Sequence, residues 1–323
     1  MAYPDIPQPE YEYNEARLIR EYQKAYIAIL KEITQLVDVE GEDNAVYQKQ
    51  ASALRQIEVI LANLDAANKA WCEAAIAQAF VHGQQAALLS AGIATSLVEA
   101  AAGVSFSMIA KNTVDAVIAD TYKDLLKATE NTGKAVKQIV RSTVADIMRQ
   151  RLAQRYGRVT ISKEINKELT KKFLAEKVKK QGFVGIIDKA GRKWDTKRYA
   201  EMVTRTKLNQ AHVEGVRVEG KERGIDTAVI STHNAADACF DFEGMIISLN
   251  GETPGLLTYS ELYASNLIFH PNCRHKVHLC KLQLLPKAVL DKHRQKVKSL
   301  NHGTMKTKID SISKIKDRQK QVV

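Results

Sequence analysis

The chain has almost no proline, and none at all between Glu10 and Thr253. The strongest helix breaker is therefore missing from most of its length, and long helices are permitted. Aromatic residues make up only 6%, in keeping with a mostly helical protein. Cysteines are four, Cys72, Cys239, Cys273 and Cys280, and the first fifteen residues lack the basic start and apolar run of a secretory signal. A reducing compartment is expected, and a structural disulfide is not. The longest stretch without a charge, between Glu73 and Glu99, is built largely from alanine and interrupted by Gln78, His82, Gly83, Gln84, Gln85 and Ser90, so no membrane span is expected. A phosphate-cradling glycine loop, a serine-hydrolase elbow, a kinase signature and a repeat of fixed period are also missing. So is a helix-turn-helix or a zinc finger of usual spacing, which argues against a stand-alone DNA-binding regulator.

What is present is 323 residues, 45% of them hydrophobic, enough for two domains with real cores. The formal net charge of +11 favours an acidic partner, most simply nucleic acid. Tyr22, Tyr26, Ile29, Ile33 and Leu36 step by three and four residues and predict a first helix. The turn-forming run Gly41 to Asn44 separates it from a second, antiparallel helix carrying Leu54, Ile57, Leu61 and Leu64. An alanine-rich third helix is expected from about Asp65 past Ala100. A fourth, marked by Val114, Ile118, Thr121 and Leu125, is expected to end near Asn131-Thr132-Gly133, and a fifth to carry Val136, Val140, Val144 and Ile147.

From Arg149 to Lys180 the composition turns basic while Ile165, Leu169 and Phe173 keep an apolar stripe. This predicts a helix with a cationic outer face, on which Lys171, Lys172, Lys179 and Lys180 are the candidate contacts to a DNA backbone; the alternative is a plain solvated face. Phe183, Val184, Ile186 and Ile187 then read as a strand that turns at Asp188 to Gly191 and returns through Lys193 and Trp194. Asp195 or Thr196 can cap a following helix that stops near Gly224. Strands are expected at about 227–232 and 245–249, a short helix at about 259–265 and a last strand at 276–279. The segment from Pro286 to Val323 is polar and strongly basic.

The stretch from Phe183 to Cys280 concentrates the chemistry: three of the four cysteines and five of the eight histidines lie in it. Asp188, Gly191-Arg192, Trp194, Tyr199 to Met202, Arg205-Thr206, Asn209, Ser231-Thr232-His233, Cys239, Gly244 and Leu267 to His275 together resemble the phage minor capsid protein 2 family, itself similar to the MuF-type head morphogenesis proteins of tailed phages. The likeness departs from the family's pattern at Asp241-Phe242-Glu243, where relatives often carry a second cysteine or a tryptophan, and at His275, where MuF-type proteins carry a cysteine. Of the matching positions, Asp188, Gly191, Arg192, Trp194, Arg205, His233, Cys239 and Pro271 are taken as the structural motif. The resemblance implies a structural virion protein of the phage head, associated with the portal and other head proteins, assembled in the host cytoplasm, and with no established enzymatic reaction.

On the residues alone, Cys239, His270, Cys273 and His275 supply two thiolates and two imidazoles, a sufficient set for structural zinc. The other reading of the same residues is a turn set by Pro271 and held by buried thiols and hydrogen-bonded histidines, and His233 is a substitute ligand. Arg205 is a candidate for a buried ion pair with Asp237 or Asp241, or for a phosphate. His212 reads as a packing or surface residue. The expected architecture is a mainly α N-terminal helical bundle over 1–181, ending in the basic helix, followed by a smaller α+β domain over 182–285 and a basic, partly mobile C-terminal tail over 286–323. Residues from Phe183 to Pro286 are expected to enclose a core of their own. The alternative to a structural head protein contacting packaged double-stranded DNA is a metal-dependent nuclease or transferase built on the cysteine and histidine cluster, with Glu243 as its base.

Overall fold

The structure is a computed structural model, and it describes residues 11–35, 43–153, 184–187 and 191–300, together with 164, 167–168 and 171–172. A helical N-terminal part is followed by a smaller sheet-containing part, as the sequence leads one to expect. The boundary expected at 181/182 lies outside the described residues. The chain forms two compact units from interleaved segments, one of Met1–Tyr11, Glu73–Ala119 and Arg205–Val323, the other of Glu12–Cys72 and Asp120–Thr204.

The second of these units is mainly helical and carries one β-hairpin. Helix α1 (Glu12–Gln35) and helix α2 (Asp43–Trp71) run antiparallel, with the Trp71 indole donating to the Asn14 carbonyl at 2.7 Å where the start of one meets the end of the other. The three-and-four stripe of α1 is the buried face: Tyr22, Ile29 and Ile33 are covered, and Ile29 and Ile33 share a core with Ile57, Val136 and Val140. Leu36 lies outside the described residues. Val136 and Val140 belong to helix α5 (Met108–Ala153), which passes without a break through Asn131-Thr132-Gly133. The helix end expected there does not occur. Thr132 turns its hydroxyl back to the Ala128 carbonyl at 2.8 Å, and Gly133 is small because a side chain would press on Leu61. The hairpin of β1 (Val184–Ile187) and β2 (Lys193–Asp195) pairs Ile186 with Trp194, and Asp195 caps helix α6 (Thr196–Glu222) by accepting from the Arg198 N–H at 2.9 Å.

The alanine-rich segment differs from its expected form at both ends. No start occurs near Asp65, because α2 continues through a π turn at Cys72–Ile76 directly into α3 (Ala77–Ser90). Helix α3 then stops well before Ala100. Gly92 takes φ +67°, its N–H bonds the Leu89 carbonyl and the next N–H bonds Leu88, which closes the helix end. Helix α4 (Leu97–Gly103) restarts with Ser96 as cap, accepting from the Glu99 N–H at 3.2 Å.

In the sheet-containing unit, β3 (Thr227–Ile230) is the central strand of an antiparallel sheet ordered β4-β3-β5, with β4 at Ile246–Ser248 and β5 at Val277–Leu279. Alternation along the strands sorts the side chains to two faces. Ala228, Ile230, Ile247, Val277 and Leu279 join Val213 and Val216 of α6 and Ala87 of α3 in the larger core. Val229, Ile246 and Cys280 face the other way, onto Leu285, Val289 and Leu290. The last two lie on helix α8 (Lys287–Leu300), so the basic segment after Pro286 begins as a docked helix; residues 301–323 lie outside the described set. The short helix α7 (Tyr259–Ser265) carries a full capping box between Thr258 and Glu261 and ends at Asn266 in the left-handed region.

Candidate metal centre

Two loops, one on each side of the central strand, carry the cysteine and histidine cluster. The first leaves β3 and enters a 3-10 turn (Ala238–Phe242) whose cap, Asp237, accepts from the Cys239 N–H at 3.0 Å. This places the Cys239 thiol inward, 1% exposed, and Glu243 just after the turn, 2% exposed. The second loop runs from the end of α7 to β5 and is strongly bent: Asn266, Phe269 and Asn272 all have positive φ, at 56°, 58° and 64°. Asparagine tolerates that region, and a phenylalanine there is an outlier held by its surroundings. Two residues of α6 pin this loop. Thr206 accepts from the Asn272 N–H at 3.1 Å, and the Asn209 amide donates to the carbonyls of Cys273 and His275 at 3.2 and 2.9 Å.

The four candidate ligands meet in two groups that share Cys239, one with Cys273 and His275 and the other with His270. Cys239 Sγ lies 3.0 Å from His270 Nε2 and 3.8 Å from Cys273 Sγ, and Cys273 Sγ lies 3.3 Å from His275 Nδ1. The ligand atoms of Cys239, Cys273 and His275 are all within 4.8 Å of one another, as are those of Asp237, Cys239 and His270. Behind them, His270 Nδ1 is 2.9 Å from the Pro271 carbonyl, and His275 Nε2 is 3.1 Å from Glu243 Oε1. The same Glu243 oxygen accepts the N–H groups of His233 and Ala235, both at 3.0 Å.

These contacts set the electrostatics. Burial alone would raise the Glu243 pKa, but the two backbone donors and the His275 imidazole outweigh it and hold the carboxyl down at about 2. The hydrogen bond from Cys239 and the bonds to His275 overcome burial and lower the Cys273 thiol to about 4, while that same bond and burial push Cys239 up. His275 is pulled down by burial yet ends above its ordinary value, because Cys273 and Glu243 favour its charged form.

The other expected site residues fall in different places. The His233 ring lies tilted against that of His275, centroids 4.1 Å apart and planes at 36°, with its side chain 39% exposed. Gly191 has φ +77° beside the hairpin, and the Arg192 guanidinium lies 5.9 Å from the centre of the Trp194 ring. Asp188 lies outside the described residues. Arg205 is exposed, and Asp237 is turned to His270 at 3.3 Å. Pro271 follows His270 in the turn closed by the Cys273 N–H on the His270 carbonyl at 2.9 Å. Lys171 and Lys172 are exposed, Lys171 at 3.9 Å from Glu168, and Lys179 and Lys180 lie outside the described residues.

Reasoning from the sequence named Thr206 and Asn209 only as positions of the family likeness, without their role as anchors, and missed the part played by Glu243 behind His275. A spacing of three places Thr206 and Asn209 on one helix face, the signal that both point to the same loop. It also missed a second buried cluster: Tyr11 bonds His212 Nδ1 at 3.1 Å and stacks on His82, and Lys276 lies 5.4 Å from the Tyr11 ring centre. His212 is 1% exposed, a packed residue.

No helix among the described residues is long and apolar enough to cross a membrane. A family model described as phage minor capsid protein 2 matches residues 10–306. No curated protein and no solved structure matches the chain.

Proposed function

The chain belongs to the phage minor capsid protein 2 family and is a structural protein of the phage head, and from that premise we propose that it docks on the portal and neighbouring head proteins, contacts packaged double-stranded DNA without reading its sequence, and catalyses no reaction. The observation that carries this reading is the family match over nearly the whole chain.

Three features support the finer parts. Val98, Phe106 and Met108 are 83%, 86% and 70% exposed within one short stretch, large apolar side chains of the kind that a protein partner covers. The net charge of +11 and the exposed Lys171 and Lys172 suit a phosphate backbone. Glu243, the carboxylate that the nuclease or transferase alternative would use as its base, has one oxygen engaged by three donors and a pKa near 2. A general base works best with a pKa near the operating pH. Its position instead suits a structural anchor.

Co-expression with the portal protein of the same phage tests the docking. The full chain is expected to co-purify with the portal, and Val98→Asp, Phe106→Asp and Met108→Asp together are expected to lose it at unchanged melting temperature. A parent chain that never co-purifies, or a triple variant that binds as before, removes portal docking through this surface.

A further inference from the structure

We propose that the chain binds one zinc ion in a closed tetrahedral site formed by Sγ of Cys239 and Cys273, Nδ1 of His275 and Nε2 of His270, and that this ion clamps the Cys239 turn to the loop between α7 and β5. The inference is independent of the head-protein reading, since it rests on the side-chain geometry of these two loops alone.

The spacing suits zinc. With Zn–S bonds of about 2.3 Å and Zn–N bonds of about 2.0–2.1 Å, a tetrahedron has a sulfur-to-sulfur edge of about 3.8 Å and sulfur-to-nitrogen edges of about 3.5 Å. Cys239, Cys273 and His275 already stand at three such corners, with the two sulfurs 3.8 Å apart and Cys273 Sγ 3.3 Å from His275 Nδ1; His270 Nε2, 3.0 Å from Cys239 Sγ, groups with Asp237 and Cys239 and fills the fourth corner by a shift of its ring toward Cys273. Two thiolates with two imidazoles select zinc over magnesium or calcium, which take oxygen ligands.

The imidazoles are held in the tautomers that ligation needs. A neutral ring has one N–H and one lone pair. A carbonyl accepts and never donates, so His270 Nδ1 carries the hydrogen toward Pro271, and the lone pair is at Nε2, facing Cys239. The Glu243 carboxylate likewise fixes the hydrogen of His275 at Nε2 and leaves Nδ1 facing Cys273. A carbonyl behind one histidine and a carboxylate behind the other is the usual outer support of a metal site. In addition, the His270 Nε2 lone pair faces the Asp237 Oδ2 carboxylate oxygen at 3.3 Å, an arrangement that a cation between them resolves.

The site has a built interior and one open edge. Cys239, Cys273 and His275 are 1%, 7% and 1% exposed, whereas the side chains of His270 and Asp237 are 24% and 57% exposed. The ion reaches its ligands from that side. The positive φ of Phe269, immediately before His270, is the backbone strain a clamp of this kind sustains.

The test is made on the full chain, purified under reducing conditions without chelator. Elemental analysis is expected to give about one zinc per chain, the content of a closed four-ligand site. Replacement by cobalt is expected to produce thiolate-to-cobalt charge-transfer bands and the intense visible bands of a tetrahedral centre. Cys239→Ser, Cys273→Ser and His270→Asn are expected to lose the ion, whereas Cys72→Ser keeps it. Glu243→Gln, acting through His275, is expected to weaken retention against a chelator by about 10- to 100-fold. Should the cysteine variants fail to fold, the parent decides by its cobalt spectrum and by a fall in melting temperature on chelation. A parent that neither contains zinc nor takes up zinc or cobalt, a cobalt spectrum without thiolate bands, or a Cys239–Cys273 disulfide in the freshly reduced protein overturns the proposal.

Discussion

Gly83 on α3 and Gly215 on α6 form a crossing at which each glycine lies on the other helix's backbone: a methyl group at Gly83 would run into the His212 carbonyl, and one at Gly215 into the Phe80 carbonyl. Neither glycine is needed for an unusual backbone angle. Both are needed for close approach, and Gln84 beside the crossing donates to the buried Glu219 carboxylate at 3.2 Å.

Gly83→Ala and Gly215→Ala are therefore each expected to destabilise the protein by about 3 kcal/mol or more, at the upper end of overpacking costs, because the clash is with backbone and no side chain can swing away. Denaturant midpoints check this. A shift like that of an exposed alanine substitution would mean that the helices can separate at little cost.

The same crossing bears on where a fragment can begin. Residues from Phe183 to Pro286 contain the sheet but leave out α3, whose Ala87 is part of the larger core, and α8, whose Val289 and Leu290 cover the opposite face. Such a fragment is expected to melt without cooperativity, and one that restores both α3 and α8 to melt cooperatively. Calorimetry on the two fragments distinguishes a core shared with α3 from one enclosed by the sheet region alone.

Acid should weaken the fold through the buried histidines. Burial first, and Lys276 second, lowers His278 to about 4 and also lowers His82, while burial holds His212 well below its ordinary value. Each binds its proton more readily in the unfolded chain, so stability is constant for these groups above about pH 7 and falls as pH drops through 6.5 toward 4. His278 alone is expected to cost roughly 2 kcal/mol at pH 5. Denaturant unfolding at pH 5 and pH 7.5 measures the difference, and His278→Gln should reduce it. Equal stability at the two pH values would contradict the burial of these rings.

DNA contact predicts a salt signature. Binding to duplex DNA is expected to fall steeply with salt and to show little sequence preference. Replacing Lys171, Lys172, Lys179 and Lys180 by glutamine should lower the slope of log K against log salt by about 0.9 for each lysine that meets a phosphate. Filter binding or fluorescence anisotropy over a salt series decides it. An unchanged slope would move the contact elsewhere on the chain, and no binding by the parent at low salt would remove it.

What the sequence determined by itself is local. The stripe Tyr22, Ile29, Ile33 marks the buried face of α1, because helical period reports which side meets a core. Asp195 caps α6, the capping box opens α7, and the run from His270 to His275 already contained the donor types of a metal site. Glycine was legible as a small residue but not as the reason for one: Gly92 ends a helix, Gly133 sits inside one, and Gly83 lets two cross. Local pattern cannot separate those cases, since the difference lies in what faces the missing side chain. Only the tertiary structure decided that Cys239 meets His270, 31 residues away. Their meeting depends on β4 and β5 pairing to opposite edges of β3, and on Thr206 and Asn209 of a preceding helix holding the loop in place. Those are long-range contacts, whose partners no spacing along the chain encodes.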